Sequence, residues 1–171
     1  MATALDGIIA LDMTQGMAGA MATMFLCDHG ATVVRVEQPA GNEKRTAPGY
    51  KVWDRGKRSL ALDIQNDQST FDKLIRSADV LVETFAPSSI YQTLVEDRRL
   101  TSLNPRLVHC SITAYGSVGP LKDEPPVDEL VMARVGILAS QPSYRPGPIH
   151  VVHRVPSVGA AILAAQGIVA S

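Results

Sequence analysis

The sequence has little of several features that mark specialised classes of protein. Two cysteines, Cys27 and Cys110, among 171 residues are too few for a disulfide framework and indicate a reducing, cytoplasmic compartment. The 16 Lys and Arg residues balance 17 Asp and Glu residues, so the excess positive charge expected of a nucleic-acid or membrane-surface binder is missing. No apolar run reaches the roughly 18 residues of a membrane span, and Met1–Asp6 lacks the charge pattern of a signal peptide.

What is present is the composition of a globular domain, in which strand-like and helix-like runs alternate. Hydrophobic residues make up 46% of the chain, enough to offset the entropy lost on folding. β-branched and continuous apolar runs predict five strands: Ile8–Asp12, Thr32–Glu37, Ser59–Ile64, Val80–Glu83 and Leu107–Ile112. Helical patterns cover Ala18–His29, a segment starting near Asn66 or Asp67, part of Ser88–Leu103, Asp128–Ser140 and Val158–Ser171, with Pro156 in the first turn of the last.

Long connections between successive strands predict crossovers, and therefore a parallel sheet covered by helices on both faces. Gln38–Lys57, which is rich in Gly, Pro and charge, is predicted to be a surface loop. In open α/β sheets, ligands bind beyond the carboxyl ends of the strands. Those ends are predicted at Thr14–Gly19, Glu37–Gln38, Glu83–Pro87 and Thr113–Gly116.

Candidate binding residues in these segments have two interpretations each. Gly16 and Gly19 suit either a phosphate at a helix N-terminus or a tight turn that needs glycine. Glu37 suits a ribose contact, although a solvated carboxylate is favoured. The basic cluster, which we define as Lys51, Arg55, Lys57 and Arg58, suits either a phosphate-rich ligand or a solvated loop face.

Four further residues have simpler interpretations. His150 and His153 form H-x-x-H without a Cys or Glu at ligand spacing, so no metal site is predicted. His109, within a strand, is interpreted as structural, and Asp128 at a helix start as a capping residue.

Several phrases resemble those of one family, in its order and spacing: Leu5–Ile8, Leu11–Thr14, Gly30–Glu37, Lys57–Asp63, Ala78–Phe85, Leu103–Val108, Ser111–Gly116 and Gly119–Pro120. The chain resembles the N-terminal part of the family III CoA-transferases. The resemblance implies an α/β fold with a Rossmann-like parallel sheet, incomplete relative to the family's large domain. Residues 1–171 would form the N-terminal part of this CoA-binding domain, with a break inside the final helix.

The resemblance also implies a reaction, in which an Asp attacks an acyl-CoA thioester and forms an aspartyl-acyl anhydride. CoA then moves to a carboxylic acid acceptor, in an interlocked dimer, without a metal, nucleic acid or membrane as partner. Positions carried over to CoA or acyl-CoA binding are Gln15, Met17, Ala18, Gln38, Lys57, Arg58, Leu62, Thr84, Phe85 and Asp128. Met17, Gln38 and Thr84 replace the Gln, Arg and Asn common in the family.

Ser157 stands where the family places its nucleophilic Asp, ten positions before Gly167. A serine could attack only with a base beside it, and His153 is the nearby candidate; a helix N-cap is the simpler interpretation of Ser157. Racemase chemistry is disfavoured because Val127 replaces the His that precedes Asp128 in the family's racemases. The module is therefore expected to be degenerate, and this chain alone inactive.

Two alternatives remain open at this stage. One is a non-catalytic binding or scaffold module, or a truncated product that pairs with a full-length homologue. The other is a dinucleotide-dependent oxidoreductase, which the missing third glycine of the dinucleotide fingerprint weakens. The apolar final helix should bury a face against chain outside residues 1–171, so a homo-oligomer or association with such a segment is expected.

Overall fold

Five parallel strands form the centre of the computed structural model, which describes residues 3–39, 49–142 and 144–171. They are β1 (Ile9–Met13), β2 (Thr32–Glu37), β3 (Arg58–Ala61), β4 (Val80–Glu83) and β5 (Val108–Ser111). Their order in the sheet is β3-β2-β1-β4-β5, and all four neighbouring pairs are parallel. The order reverses between β1 and β4, as in a doubly wound Rossmann-like sheet. The prediction of a parallel α/β fold is confirmed.

Helices cover both faces of the sheet, as predicted. They are α1 (Met17–Asp28), α2 (Tyr50–Trp53), α3 (Gln68–Ser77), α4 (Asp97–Leu103), α5 (Asp128–Arg134), α6 (Ile137–Ser140) and α7 (Val155–Ala170), with a 3-10 turn at Gln92–Leu94. On one face, Leu11 and Leu81 pack with Phe71, Ile75 and Leu100 from α3 and α4. On the other face, residues of β1, β2 and β4 pack with Leu26 of α1 and Ile168 of α7: Ala10, Val33, Val80 and Val82.

Local side-chain chemistry explains where several elements begin and end. Asp67 caps α3 as predicted, because its side chain accepts a hydrogen bond from the Thr70 amide (3.1 Å). β3 is shorter than the predicted Ser59–Ile64, since the Asp63 carboxylate accepts hydrogen bonds from the amides of Gln65 and Asn66 and turns the chain. Pro156 lies in the first turn of α7, as predicted.

Two predicted elements are wrong. The predicted loop Gln38–Lys57 contains α2 in its described part, while residues 40–48 lie outside the described residues. The predicted helix Asp128–Ser140 is two helices, because Gly136 adopts a left-handed φ of 79° that ends α5 and starts α6.

The final helix packs with one side on another helix of this chain, while its expected association with chain outside residues 1–171 stays a prediction. α7 packs on α1 and buries Ala161 and Ile168. Its other side exposes Leu163 and Val169, with 69% and 61% of their surface accessible. Among the helices of the described ranges, none is both long and apolar enough to cross a bilayer.

The core under α3 yields a stability prediction. Phe71 is fully buried against the sheet, so Phe71→Ala is expected to lower the free energy of unfolding by about 3–5 kcal/mol through lost burial and a residual cavity. Urea unfolding followed by circular dichroism measures this change. Val118→Ala is the control, since Val118 is 81% exposed; equal effects of the two variants would contradict the assigned core.

Candidate functional site

The loops that follow β1 and β4 are tied together at the point where the strand order reverses. The Gln15 amide donates a hydrogen bond to Thr84 Oγ1 (2.6 Å), and the Thr84 hydroxyl lies 3.2 Å from the Gln15 carbonyl oxygen, which it can donate to. The two loops are neighbours because β1 pairs with β4. Crevices at this position are where open α/β sheets bind ligands. We call this part of the sheet edge, where the loops carrying Gln15 and Thr84 meet, the switch-point edge.

A buried carboxylate supports the turn after β4. The Glu83 side chain is fully buried, and its Oε2 accepts a hydrogen bond from the Phe85 amide. The Phe85 ring packs against Tyr91 with 5.1 Å between centroids. Thr84, between Glu83 and Phe85, is thereby held with its hydroxyl toward the Gln15 loop.

Both glycines before and in α1 are required by backbone geometry. Gly16 has a φ of 88°, a conformation that side chains disfavour. A Cβ at Gly19 would lie 2.3 Å from Thr14 Cβ, so the helix could not approach the β1 end with any larger residue. The tight-turn interpretation of this motif accounts for both glycines.

A cavity of about 1030 Å³ opens beside the switch-point edge. Its walls come from the α1 N-terminus, α2 and the α7 N-terminus, with Met17, Tyr50, Trp53, Val158, Gly159 and Ile162 among the lining residues. The charged side chains of Arg35 and Asp54 lie at its wall, as does His153. A largely apolar cavity of this size with a few polar groups is typical of a small-molecule site.

Beneath this cavity lies a buried charge cluster, formed by Asp12, Arg35, Asp54 and Lys57. Asp12 is fully buried, and its Oδ2 accepts from Arg35 (3.0 Å), Lys57 (2.9 Å) and the Thr23 hydroxyl (2.8 Å). Asp54 lies 3.2 Å from Arg35 and 2.9 Å from Lys57. Burial acts to raise the pKa of Asp12, but the positive charges of Lys57 and Arg35 outweigh it, and the pKa is lowered.

The structure separates the basic cluster, and neither proposed interpretation fits all of its members. The Lys57 ammonium is buried and makes three hydrogen bonds, to Asp12, Asp54 and the Ala20 carbonyl, so it acts inside the protein. Arg55 pairs with Asp28, and Arg58 is exposed. The interpretation of Glu37 as a solvated carboxylate is wrong: it is buried and accepts from the Ser59 hydroxyl (2.8 Å).

Ser157 and Asp128 form a pair that sequence reasoning missed. Asp128 Oδ1 accepts from the Ser157 amide and Oδ2 accepts from the Ser157 hydroxyl, both at 2.8 Å. Ser157 is not an N-cap, since Arg154 occupies that position, and Asp128 does not cap its own helix but the α7 terminus. The hydroxyl partner is thus Asp128 rather than His153. Twenty-nine residues separate the pair, and no local pattern signals such a contact.

The remaining candidates divide by position. Gln15, Met17 and Ala18 come together with Thr84 and Phe85 near the switch-point edge. Gln38 directly follows β2. The Leu62 amide donates a hydrogen bond to the Glu37 carbonyl (2.8 Å), and the Leu62 side chain is buried in the core.

Arg58 begins β3, at the opposite end of that strand from its carboxyl edge, and Asp128 belongs to the α5–α7 contact. A binding role for each of these candidates stays a prediction.

Comparison with known proteins adds an independent finding. The family model described as CoA-transferase family III matches residues 5–171. The chain is 34% identical over 152 residues to a probable fatty acyl-CoA transferase, Rv3272, of Mycobacterium tuberculosis, covering 81% of this chain and 39% of that protein. It is also 34% identical to succinyl-CoA:mesaconate CoA-transferase of Haloarcula hispanica, covering 98% and 47%.

Solved structures agree on the fold. The crystal structure of Rv3272 superposes with a TM-score of 0.90 at 32% identity, over 99% of this chain and 51% of that one. A CAIB/BAIF family protein from Brucella suis gives a TM-score of 0.89 at 25% identity, over 99% and 49%. The chain thus spans about two fifths to one half of the length of these relatives.

The buried charge cluster yields a second prediction. Lys57→Met removes one positive charge and leaves Asp12 and Asp54 undercompensated, so a loss of about 3–5 kcal/mol in the free energy of unfolding is expected at neutral pH. Lys51→Met is the matched control, because Lys51 is exposed. Urea unfolding of both variants measures the difference; a Lys57 variant as stable as the Lys51 variant would refute the role given to the cluster.

Proposed function

Because the chain belongs to CoA-transferase family III, we propose that it forms the CoA-binding portion of an acyl-CoA transferase. Enzymes with this name act on CoA thioesters and carboxylic acids, as the acetyl-CoA:oxalate and succinate–glutarate transferases do. The substrates proposed for the whole protein are accordingly an acyl-CoA and a carboxylic acid acceptor.

The proposed CoA position follows from the two features that meet at Gly16 and Met17. The switch-point edge, with Gln15 on one side and Thr84 on the other, lies at the carboxyl ends of β1 and β4, where open α/β sheets bind ligands. The cavity begins at the same Met17 and continues between α2 and α7. We place the CoA moiety along this edge, with the thioester end directed to the apolar cavity.

The observation that carries the proposal of a degenerate module is the contact between Ser157 and Asp128. In the transferase reaction a carboxylate attacks the thioester, forms a mixed anhydride and expels the CoA thiolate. A serine would instead form an ester, which is less activated than an anhydride and returns the acyl group to thiolate less readily. The Ser157 hydroxyl donates to Asp128, which also accepts from the Ser157 amide, so Asp128 holds the start of α7 and an acyl group taken up by Ser157 would stop at the less reactive ester.

A second candidate function is a non-catalytic module that pairs with another copy or a homologous chain. The exposed side of α7 favours it, since Leu163 and Val169 present apolar surface beside Ile162. An interlocked dimer, which the family resemblance implies, would cover such a surface. Sedimentation equilibrium measures self-association, and a CoA titration measures ligand binding. Association without CoA binding supports the scaffold module over the CoA-binding portion of a transferase.

CoA binding is tested by filling the cavity from α7. Gly159 lines the cavity, and a Cβ added there meets no atom within 4 Å. Gly159→Leu is therefore expected to keep the fold and to weaken CoA binding by about tenfold or more in isothermal titration calorimetry. Gly167→Leu is the matched control, because Gly167 also has open space but does not line the cavity. Equal affinities in both variants would place CoA elsewhere.

The degenerate nucleophile is tested by searching for a covalent adduct. After incubation with acyl-CoA, intact-mass spectrometry is expected to show no acyl adduct on this chain, neither a hydroxylamine-sensitive anhydride nor a hydroxylamine-resistant serine ester. Ser157→Ala is expected to bind CoA with unchanged affinity, because the hydroxyl contacts Asp128 rather than the cavity. An adduct on Ser157 or Asp128 would show that the module is catalytically competent.

A further inference from the structure

His109 lies between two carboxylates on the α3–α4 face of the sheet. It is in register with Leu81, whose side chain packs in the core on that face. Its Nδ1 is 2.8 Å from Oδ1 of Asp97, at the start of α4, and its Nε2 is 3.7 Å from Oε1 of Glu83, at the end of β4. The Glu83 side chain is fully buried, whereas that of Asp97 is 87% exposed.

This arrangement suits a protonated imidazole better than a neutral one. A neutral ring carries one N–H and can donate to only one carboxylate, whereas the charged ring donates from both nitrogens. Glu83 Oε1 and His109 Nε2 are buried, and neither has a hydrogen-bond partner among the described residues. A carboxylate oxygen buried without a donor is costly, and the His109 ring, 3.7 Å away, is the nearest group paired with Glu83 Oε1.

The other oxygen of Glu83 connects this pair to the switch-point edge. Oε2 accepts the Phe85 amide hydrogen bond, which fixes the turn containing Thr84. Thr84 in turn accepts from the Gln15 amide at 2.6 Å. One carboxylate thus faces His109 with one oxygen and holds the binding turn with the other.

We propose that protonated His109 is a positioning residue for the CoA site, acting through Glu83 on the turn at Thr84 and Phe85. The proposal rests on the CoA binding proposed above. His109 itself touches no substrate; its charge keeps the Glu83 carboxylate in the orientation that supports the turn. Loss of that charge frees Glu83 to rotate and loosens the contact between the loops after β1 and β4.

The direction of the pH dependence follows from the groups around the ring. Burial acts to lower the pKa of His109, but the carboxylates of Glu83 and Asp97 outweigh it and raise the pKa above its ordinary 6.5. Within the described ranges, these are the charged groups paired with His109; Cys110 beside it packs on the opposite face. Because the folded-state pKa is raised, the ion pair is fully present below pH 6.5 and is lost as pH rises through the folded-state value.

Calorimetric CoA titrations of the 171-residue chain, at pH values below and above the folded-state pKa of His109, test the proposal. The wild-type dissociation constant is expected to rise by about tenfold as His109 loses its proton. His109→Gln should bind weakly and without that pH step. Asp97→Asn, an exposed change that leaves the Glu83 contact in place, should move the step to lower pH, because one of the two carboxylates that raise the pKa is neutralised.

Amide hydrogen exchange supplies a readout that does not need CoA. Protection of the Phe85 and Gln15 amides is expected to fall in His109→Gln and to follow the same pH step in the wild type. Equal pH profiles and equal protection in the wild type and His109→Gln would overturn the positioning role. If CoA fails to bind at any pH while the protection pattern behaves as expected, the proposed function fails and the positioning of the turn by His109 is retained.

Discussion

The buried carboxylate of Asp12 is the group on which the geometry around the cavity depends. It lies one residue before the end of β1, the central strand of the sheet, and accepts from Arg35 of β2, from Lys57 just ahead of β3 and from Thr23 of α1. A charge at this depth is tolerated only when it is paired and hydrogen-bonded. The negative charge of Asp12 must stay paired with positive charges and hydrogen-bond donors. This requirement holds β1, β2, the start of β3 and α1 at fixed distances from one another.

The same requirement positions α2, which forms one wall of the cavity. Asp54, directly after α2, shares Lys57 and Arg35 with Asp12, and the Tyr50 hydroxyl contacts Glu37 (3.3 Å), so polar and charged contacts anchor the short helix. None of the α2 residues is buried. A cavity wall attached in this way depends on the ion pairs below it. Lys57, which the sequence placed in a cluster facing either a ligand or solvent, is therefore an interior group.

Two other carboxylates, those of Asp128 and Glu83, each make two contacts. Asp128 accepts two hydrogen bonds from Ser157 and joins α5 to the start of α7. Glu83 holds the Phe85 amide with one oxygen and faces His109 with the other. Each contact joins a residue of the family pattern to a segment far away in the chain.

The sequence by itself determined the order of the five strands and of the longer helices, because β-branched runs such as Thr32–Glu37 and caps such as Asp67 act over a few neighbouring residues. It also determined the family, whose phrases lie in continuous segments. Tertiary structure alone decided that Lys57 is buried, that Asp128 caps α7 and that Glu83 meets His109. These contacts join residues far apart in the chain, and the energy of a charge depends on which distant groups surround it, a property that no local pattern encodes.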